Sequence, residues 1–282
     1  MRTPDEVAAA GQLACLLEVS APKPGNVSPG HHFHDTRYED FLASAVAIGP
    51  ALAAAGECAL GATIFSAVTF TSRWVTSNTN LGIILLLAPL ARAALRDEAP
   101  LRDGVRDVLA ATTVADAVDV YAAIRRARPG GLGSSATEDV ASAPTVSLRD
   151  AMELAAERDS VAREYATDFA TTFEVGVPAL RAARQAGFGW TDATVEAFLR
   201  ILATCPDTHI ARKLGPDAAL AVSRRARDVE EAGGVRSEAG RRALARLDQE
   251  LRDAANARNP GTTADLTCAA LFVVILEDGW HP

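Results

Sequence analysis

Lysine is nearly absent from this chain: its 282 residues hold two, Lys23 and Lys213, against 26 arginines. Aromatic residues make up only 5%, so a core must be built from Ala, Leu, Val and Ile. The four cysteines, Cys15, Cys58, Cys205 and Cys268, are widely spaced with no CxxC pair, so neither a zinc site nor a disulfide framework is indicated. No stretch alternates apolar and polar residues, so no strand is indicated. The longest apolar runs, Leu81–Leu90 and Leu266–Leu276, are too short to span a bilayer. The N-terminal Met1-Arg-Thr-Pro-Asp-Glu6 lacks the apolar run of a signal peptide, and the expectation is a soluble, cytoplasmic protein. A net charge of −8 argues against nucleic acid as a partner. It leaves room for a small anion held in a locally basic cleft, because pockets focus field independently of net charge.

What is present is helical. Thr3, Pro4 and Glu6 form a capping box into a first helix. Thr36 to Glu39 offers a second box into a helix reaching about residue 48. Further helices are expected over about 57–75, 81–95 with a kink at Pro89, and 101–128 in two pieces. Others are expected near 148, over 160–186, 192–204, 216–233 and 237–256, and from Thr262 to about Glu277, with Asp265 completing a cap. The expected fold is all-α: a single multi-helical domain over 1–282, its polar loops at helix N-termini forming one cleft. The Gly-rich stretch 129–146 reads as a flexible loop or lid.

Four polar segments interrupt this pattern. In Ser20-Ala-Pro-Lys-Pro-Gly-Asn-Val27, prolines flank Lys23 and Gly25 permits a positive φ, so the ammonium would be held rather than mobile. A compact ammonium suits a phosphate oxygen where a planar guanidinium does not. His31, His32, His34 and Asp35 follow. They invite a metal reading, but without a fourth soft ligand that signal is weak. Asn78, Thr79 and Asn80 precede an apolar helix whose free N–H groups suit phosphate or ribose. Asp207, Thr208, Arg212 and Lys213 combine a candidate magnesium ligand with two cations. Gly261, Thr262, Thr263 and Asp265 open the last helix, Gly261 permitting close approach of a ligand. Each segment alone is also explained by ordinary capping.

In this order the four segments resemble the triphosphoribosyl-dephospho-CoA synthase family. Glu18-Val-Ser-Ala-Pro-Lys-Pro-Gly-Asn-Val27 is similar to its Glu-Val…Pro-Lys-Pro-Gly-x-Val opening. Asn78-Thr-Asn-Leu-Gly82 stands where the family has Asn-Thr-His-Lys-Gly. Asp207 through Gly215 is similar to Asp-Thr-Asn-x-x-x-Arg-Gly-Gly, and Asn259-Pro-Gly-Thr-Thr-Ala-Asp-Leu266 to Ser-Pro-Gly-Gly-Ser-Ala-Asp-Leu. The resemblance implies a magnesium-dependent transferase that moves the triphosphoribosyl group of ATP to dephospho-CoA or a similar acceptor, releasing adenine. It implies phosphate or nucleotide contacts from Lys23, Gly25, Asn78, Thr79, Asn80, Thr208, Arg212, Lys213, Gly261, Thr262 and Thr263. Catalytic carboxylates would be Asp207, Asp265 and Glu174, and metal ligands Asp207, Asp265 and Asp35. Three departures stand out. Asn80 and Leu81 replace a His-Lys pair, the Arg-Gly-Gly becomes Lys213-Leu-Gly215, and the family's Ala-Arg-Gly-Glu-Ala-Glu-Ala-Gly segment survives here only as Glu174 within Tyr165–Gly176. A ribosyl-nucleotide hydrolase or lyase, or a non-catalytic nucleotide-binding homologue, are the alternatives. The sequence leaves room for a homodimer.

Overall fold

The computed structural model describes residues 2–96, 100–130, 133–134 and 137–281. Among them there is no strand, only an isolated bridge between Ser28 and His31, and the all-α expectation holds. The α-helices are α1 Pro4–Ser20, α2 Tyr38–Ala47, α3 Gly49–Ala53, α4 Leu60–Thr71, α5 Leu81–Arg96, α6 Leu101–Ala110, α7 Val114–Ala127, α8 Leu148–Ala155, α9 Ser160–Ala166, α10 Val177–Gln185, α11 Trp190–Thr204, α12 Thr208–Leu214, α13 Pro216–Glu231, α14 Glu238–Leu251 and α15 Gly261–Asp278. No described helix is long and apolar enough to cross a membrane. All four cysteines are free thiols.

The chain groups into two compact units. The first comprises Met1–Cys15 and Glu39–Ala170, the second Leu16–Tyr38 and Thr171–Pro282. In the first unit α4 packs along α7, and α5 packs on α4 and α6. Gly61 makes the α4–α7 approach possible: a Cβ there would lie 2.6 Å from the backbone of Asp116. Asp116 ties the two helices chemically as well. Its Oδ2 completes the Thr113 capping box of α7, while its Oδ1 accepts the Gly61 N–H at 2.9 Å.

Pro89 lies inside α5, which continues through it to Arg96. Proline has no N–H to offer the carbonyl four residues back, and that carbonyl, Leu85, instead accepts from the buried Tyr165 hydroxyl at 2.7 Å. Burial pushes the Tyr165 phenol well above its ordinary range.

Helix boundaries differ from expectation where side chains from elsewhere intervene. The Thr3–Glu6 box forms as expected. Thr36 instead donates to Asp35, and the N–H of Tyr38 at the start of α2 donates to His32 Nδ1 at 3.1 Å. The expected helix over 160–186 is broken at Asp168 and Phe169, both in the left-handed region. There Arg102 donates to the Asp168 carbonyl and Arg149 to its carboxylate. A π-helical turn, Thr172–Gly176, then leads into α10. The helix expected to reach 256 stops at Leu251, because Asp253 accepts the N–H groups of Ala255, Ala257 and Arg258. Of the 129–146 stretch, residues 131, 132, 135 and 136 lie outside the described residues. Its later part is tied down: Tyr121 donates to the Glu138 carbonyl and Arg125 to that of Val140.

The second unit has its own core, in which Val195, Phe198, Leu199 and Leu202 of α11 meet Ile210 of α12, Val222 of α13 and Leu247 of α14. This core fixes the ends of α12, α14 and α15, from which the candidate site is built.

Candidate functional site

Three polar segments of the second unit converge: the loop after α1, the short helix α12, and the connection from α14 into α15. Asp207 joins the last two. Its Oδ1 accepts the Ile210 N–H at 3.0 Å, capping its own helix α12. Its Oδ2 accepts both the N–H and the hydroxyl of Thr263 at 2.7 Å. Thr263 is the third residue of α15, so one carboxylate caps two helices. The expected Thr262–Asp265 cap is replaced by this contact from another segment, and α15 begins one residue earlier, at Gly261. Two positive helix ends favour the anion, and the Thr263 and Ile210 hydrogen bonds and the Arg212 charge act in the same direction. Burial is the larger influence and raises the Asp207 carboxyl above its usual range. Thr208 and Thr262, one residue along on each side, are joined hydroxyl to hydroxyl at 3.2 Å.

The loop after α1 is held by α14. Asp248 accepts the Gly25 N–H at 2.8 Å and a hydrogen bond from Arg252, whose guanidinium also reaches the Asn26 carbonyl. Gly25 has φ +72°, and a Cβ there would meet Leu251 Cβ at 2.8 Å. A Gly25→Ala substitution is therefore expected to cost about 2 kcal/mol or more of folding stability, from backbone strain and overpacking together. Urea denaturation measures it; a loss below about 0.5 kcal/mol would show that the loop relaxes.

Lys23 is fully buried. Its ammonium pairs with Glu18 Oε1 at 2.9 Å, donates to the Ala21 carbonyl at 3.2 Å, and makes a further short contact with the Glu18 carbonyl. An ammonium has three donors, and three protein acceptors surround this one. The residue expected to bind phosphate thus pins the Pro-Lys-Pro-Gly loop to the end of α1.

Lys213 is exposed and donates to the Asn256 carbonyl at 3.2 Å. Partial desolvation holds its ammonium below the usual lysine range, opposed by the charges of Asp253 and Asp35. The Asn256 side chain in turn meets His34 Nδ1 at 3.2 Å. Lys213 and Arg212 are thus two cations on one short helix, next to the start of α15. The three loop histidines diverge: His31 bridges to Ser28, His32 caps α2, and His34 turns to Asn256.

The acids proposed for a metal do not form a cation cage. Asp207 is committed on both oxygens to Ile210 and Thr263, Asp35 is exposed beside His34, and Asp265 is half-buried in the first turns of α15. Among the described residues no three His, Cys, Asp or Glu side chains are grouped to hold an ion. Glu174 stands exposed on the π-helical turn, a backbone irregularity frequent at functional sites.

Asn78, Thr79 and Asn80 belong to the first unit, where each has a structural role. Asn78 Oδ1 accepts the Leu81 N–H at the start of α5, Thr79 shares a hydrogen bond with Ser44, and Asn80 donates to Thr71. They line a small pocket that Arg126 and Ser72 also border.

Two residues of the second unit escaped the sequence reading. His209 and Asn259 each carry a buried polar atom, Nε2 and Oδ1, without a hydrogen-bond partner. Burial and the charges of Lys213 and Arg212 lower the His209 pKa to about 4. The available signal was positional: each sits beside a residue that was singled out, His209 in the Asp-Thr-His run and Asn259 before Pro-Gly.

Comparison with known proteins gives a consistent picture. The family model for ATP:dephospho-CoA triphosphoribosyl transferase matches residues 4–282. A Pseudomonas syringae pv. tomato protein named "Probable 2-(5''-triphosphoribosyl)-3'-dephosphocoenzyme-A synthase" is 40% identical over 122 residues, 43% of this chain and 41% of that protein. A protein of the same name from Stutzerimonas stutzeri is 39% identical over 113 residues, 40% of this chain and 38% of that one. The chain thus spans about two-fifths of the length of the curated relatives it matches. A crystal structure from Archaeoglobus fulgidus, assigned as a triphosphoribosyl-dephospho-CoA synthase, superposes with a TM-score of 0.64 at 25% identity, covering 85% of this chain and 100% of that one.

Proposed function

This chain belongs to the ATP:dephospho-CoA triphosphoribosyl transferase family, and we propose that it transfers the triphosphoribosyl group of ATP to the ribose 2′-hydroxyl of dephospho-CoA or a close analogue. The bond from the sugar C1 to the adenine nitrogen breaks and a bond from C1 to the acceptor oxygen forms. Adenine leaves with the electron pair, and the acceptor's proton passes to a base. Positive charge builds on the sugar during the transfer, as in glycoside cleavage, and a carboxylate placed beside it lowers the barrier. Asp265 and Glu174 are the carboxylates this reading assigns to that charge and to the proton.

The observation that carries the reading is the junction of α12 and α15 under Asp207. It sets the α15 N-terminus, with the small residue Gly261, next to the short helix that carries Arg212 and Lys213. Two adjacent cations suit a triphosphate, while the N–H groups of Gly261 and Thr263 are already given to the Asn259 carbonyl and to Asp207. Asp207 acts in this reading as a positioning residue, because its oxygens are engaged in holding the junction. Magnesium would enter with the triphosphate, held by phosphate oxygens and water as that ion usually is, and no residue of this chain is assigned to it.

Chromatographic detection of adenine tests the proposal. Incubated with ATP and magnesium, the protein is expected to release adenine in step with consumption of added dephospho-CoA. Adenine released equally well without any acceptor would replace transfer with hydrolysis. No adenine under either condition would remove the transferase reading.

A further inference from the structure

The first unit holds a pocket of its own, of about 40 Å³, with a lining that is one-sided in charge. Val68, Val75 and Leu81 give it an apolar wall. Thr79 and Asn80 are buried beside that wall, tied to Ser44 and Thr71. Among the described residues that line the pocket, Arg126 is the only charge and there is no carboxylate.

Arg126 is held in place with most of its donors unspent. The Ser72 hydroxyl donates to the Thr69 carbonyl at 2.9 Å and accepts from Arg126 Nε, also at 2.9 Å. A guanidinium has five N–H groups, and the four on its Nη atoms meet no acceptor among the described residues. An arginine in the last turn of α7 is favourable for the helix dipole alone, but that effect needs no tether at Nε. Asn78 adds to the same surplus, because its Oδ1 accepts the Leu81 N–H and its amide donors are left over. Thr76 and Ser77, which also line the pocket, make no hydrogen bond among the described residues.

Size and chemistry together restrict the occupant. One water needs about 10–15 Å³ of such space, so the pocket takes about three waters or a single tetrahedral oxyanion. That suits a phosphoryl group and not a nucleoside. The guanidinium fork matches two oxygens of such a group, and the hydroxyl and amide donors serve the others. A cation or an apolar ligand would leave all of these donors unmatched. Leu81 stands where the family has lysine, so the charge of this pocket comes from α7 instead.

We propose that this pocket binds a phosphoryl-type oxyanion, free or at the end of a larger ligand. Arg126 determines the affinity, and Ser72 positions Arg126. The pocket lies wholly in the first unit, so its occupancy stands or falls apart from the transferase reading.

Line broadening of the phosphorus NMR signal of inorganic phosphate, titrated against the full chain at constant ionic strength in chloride, tests this. The parent protein carries Arg212→Ala and Lys213→Ala, which remove the cations of α12. Adding Arg126→Ala is expected to weaken phosphate binding about tenfold or more, the scale of one lost charge-assisted hydrogen bond. The Arg126→Ala protein should melt as its parent does without phosphate, because the arginine is exposed. Ser72→Ala, which frees the guanidinium without removing it, is expected to lose less. Leu81→Lys added to Arg126→Ala is expected to restore most of the affinity by returning a cation to the lining. If that variant does not fold, Arg126→Lys makes the comparison and should keep part of the affinity. Competitive displacement of phosphate by ATP identifies the pocket as holding the phosphoryl end of a nucleotide, and its absence identifies a free ion. Equal binding with and without Arg126→Ala, or no phosphate bound by the parent, would overturn the site.

Discussion

Replacing Glu18 with alanine is expected to cost about 3–5 kcal/mol of folding stability, the scale for removing one partner of a buried ion pair. Lys23 would keep its ammonium in a fully buried position with only the carbonyls of Glu18 and Ala21 as acceptors. Lys23→Met alone is expected to cost less than Glu18→Ala, because a stranded carboxylate can take up a proton. The Glu18→Leu, Lys23→Met double variant should come within about 1 kcal/mol of wild type, since apolar replacement of a whole buried pair is often neutral or better. Urea midpoints at constant m-value measure all four proteins. Additive losses in the double variant would show that the two side chains do not act as a pair. The same double variant separates the two roles considered for Lys23. If the lysine only anchors the Pro-Lys-Pro-Gly loop, the folded double variant keeps ATP affinity; a loss of affinity there would return Lys23 to the phosphates.

Asp207→Ala is expected to lose about 2–3 kcal/mol of stability and about tenfold or more in ATP affinity. The stability estimate combines one lost helix cap, about 1 kcal/mol, with the stranding of the Thr263 N–H and hydroxyl, about 1–3 kcal/mol. Relief from burying the carboxylate offsets part of this. Affinity falls because the first turn of α15 is no longer fixed to α12, so Thr262, Thr263 and Gly261 lose their placement relative to Arg212. A double-mutant cycle with Thr263→Ala should give a coupling of about 1–2 kcal/mol. Zero coupling would show that Asp207 caps only its own helix. Asparagine is not a conservative test at this position, since its amide N–H groups would face a backbone N–H on one side or the other.

Much of the fold was legible because helix signals are local. Thr3-Pro-Asp-Glu6, the apolar run of α5 and the break after Ala110 all act within one or two turns, and α1, α5 and the α6–α7 junction lie where the sequence places them. The candidate site was only half legible. The segments containing Asp207, Arg212, Lys213, Gly261 and Thr263 were readable as unusual clusters of polar residues, and the second unit brings them together. The work each residue performs was not readable, because it depends on partners remote in sequence. Thr263 lies 56 positions from Asp207, and Asp248 lies 223 from Gly25. Lys23 shows the same limit at short range. It lies five positions from Glu18, yet the pattern Pro-Lys-Pro-Gly does not say whether the ammonium faces out to a ligand or back to the helix end.

The sequence by itself determined an all-α chain whose apolar periodicity and caps place its long helices and whose polar motifs mark its family. Tertiary structure decided which groups are satisfied within the protein. A carboxylate or ammonium is committed when folding surrounds it with donors or acceptors, as happens to Asp207 and Lys23. His209 Nε2 and Asn259 Oδ1 are left unpaired when folding buries them and supplies none. That distinction depends on distances between segments far apart in the chain, and no local pattern encodes it.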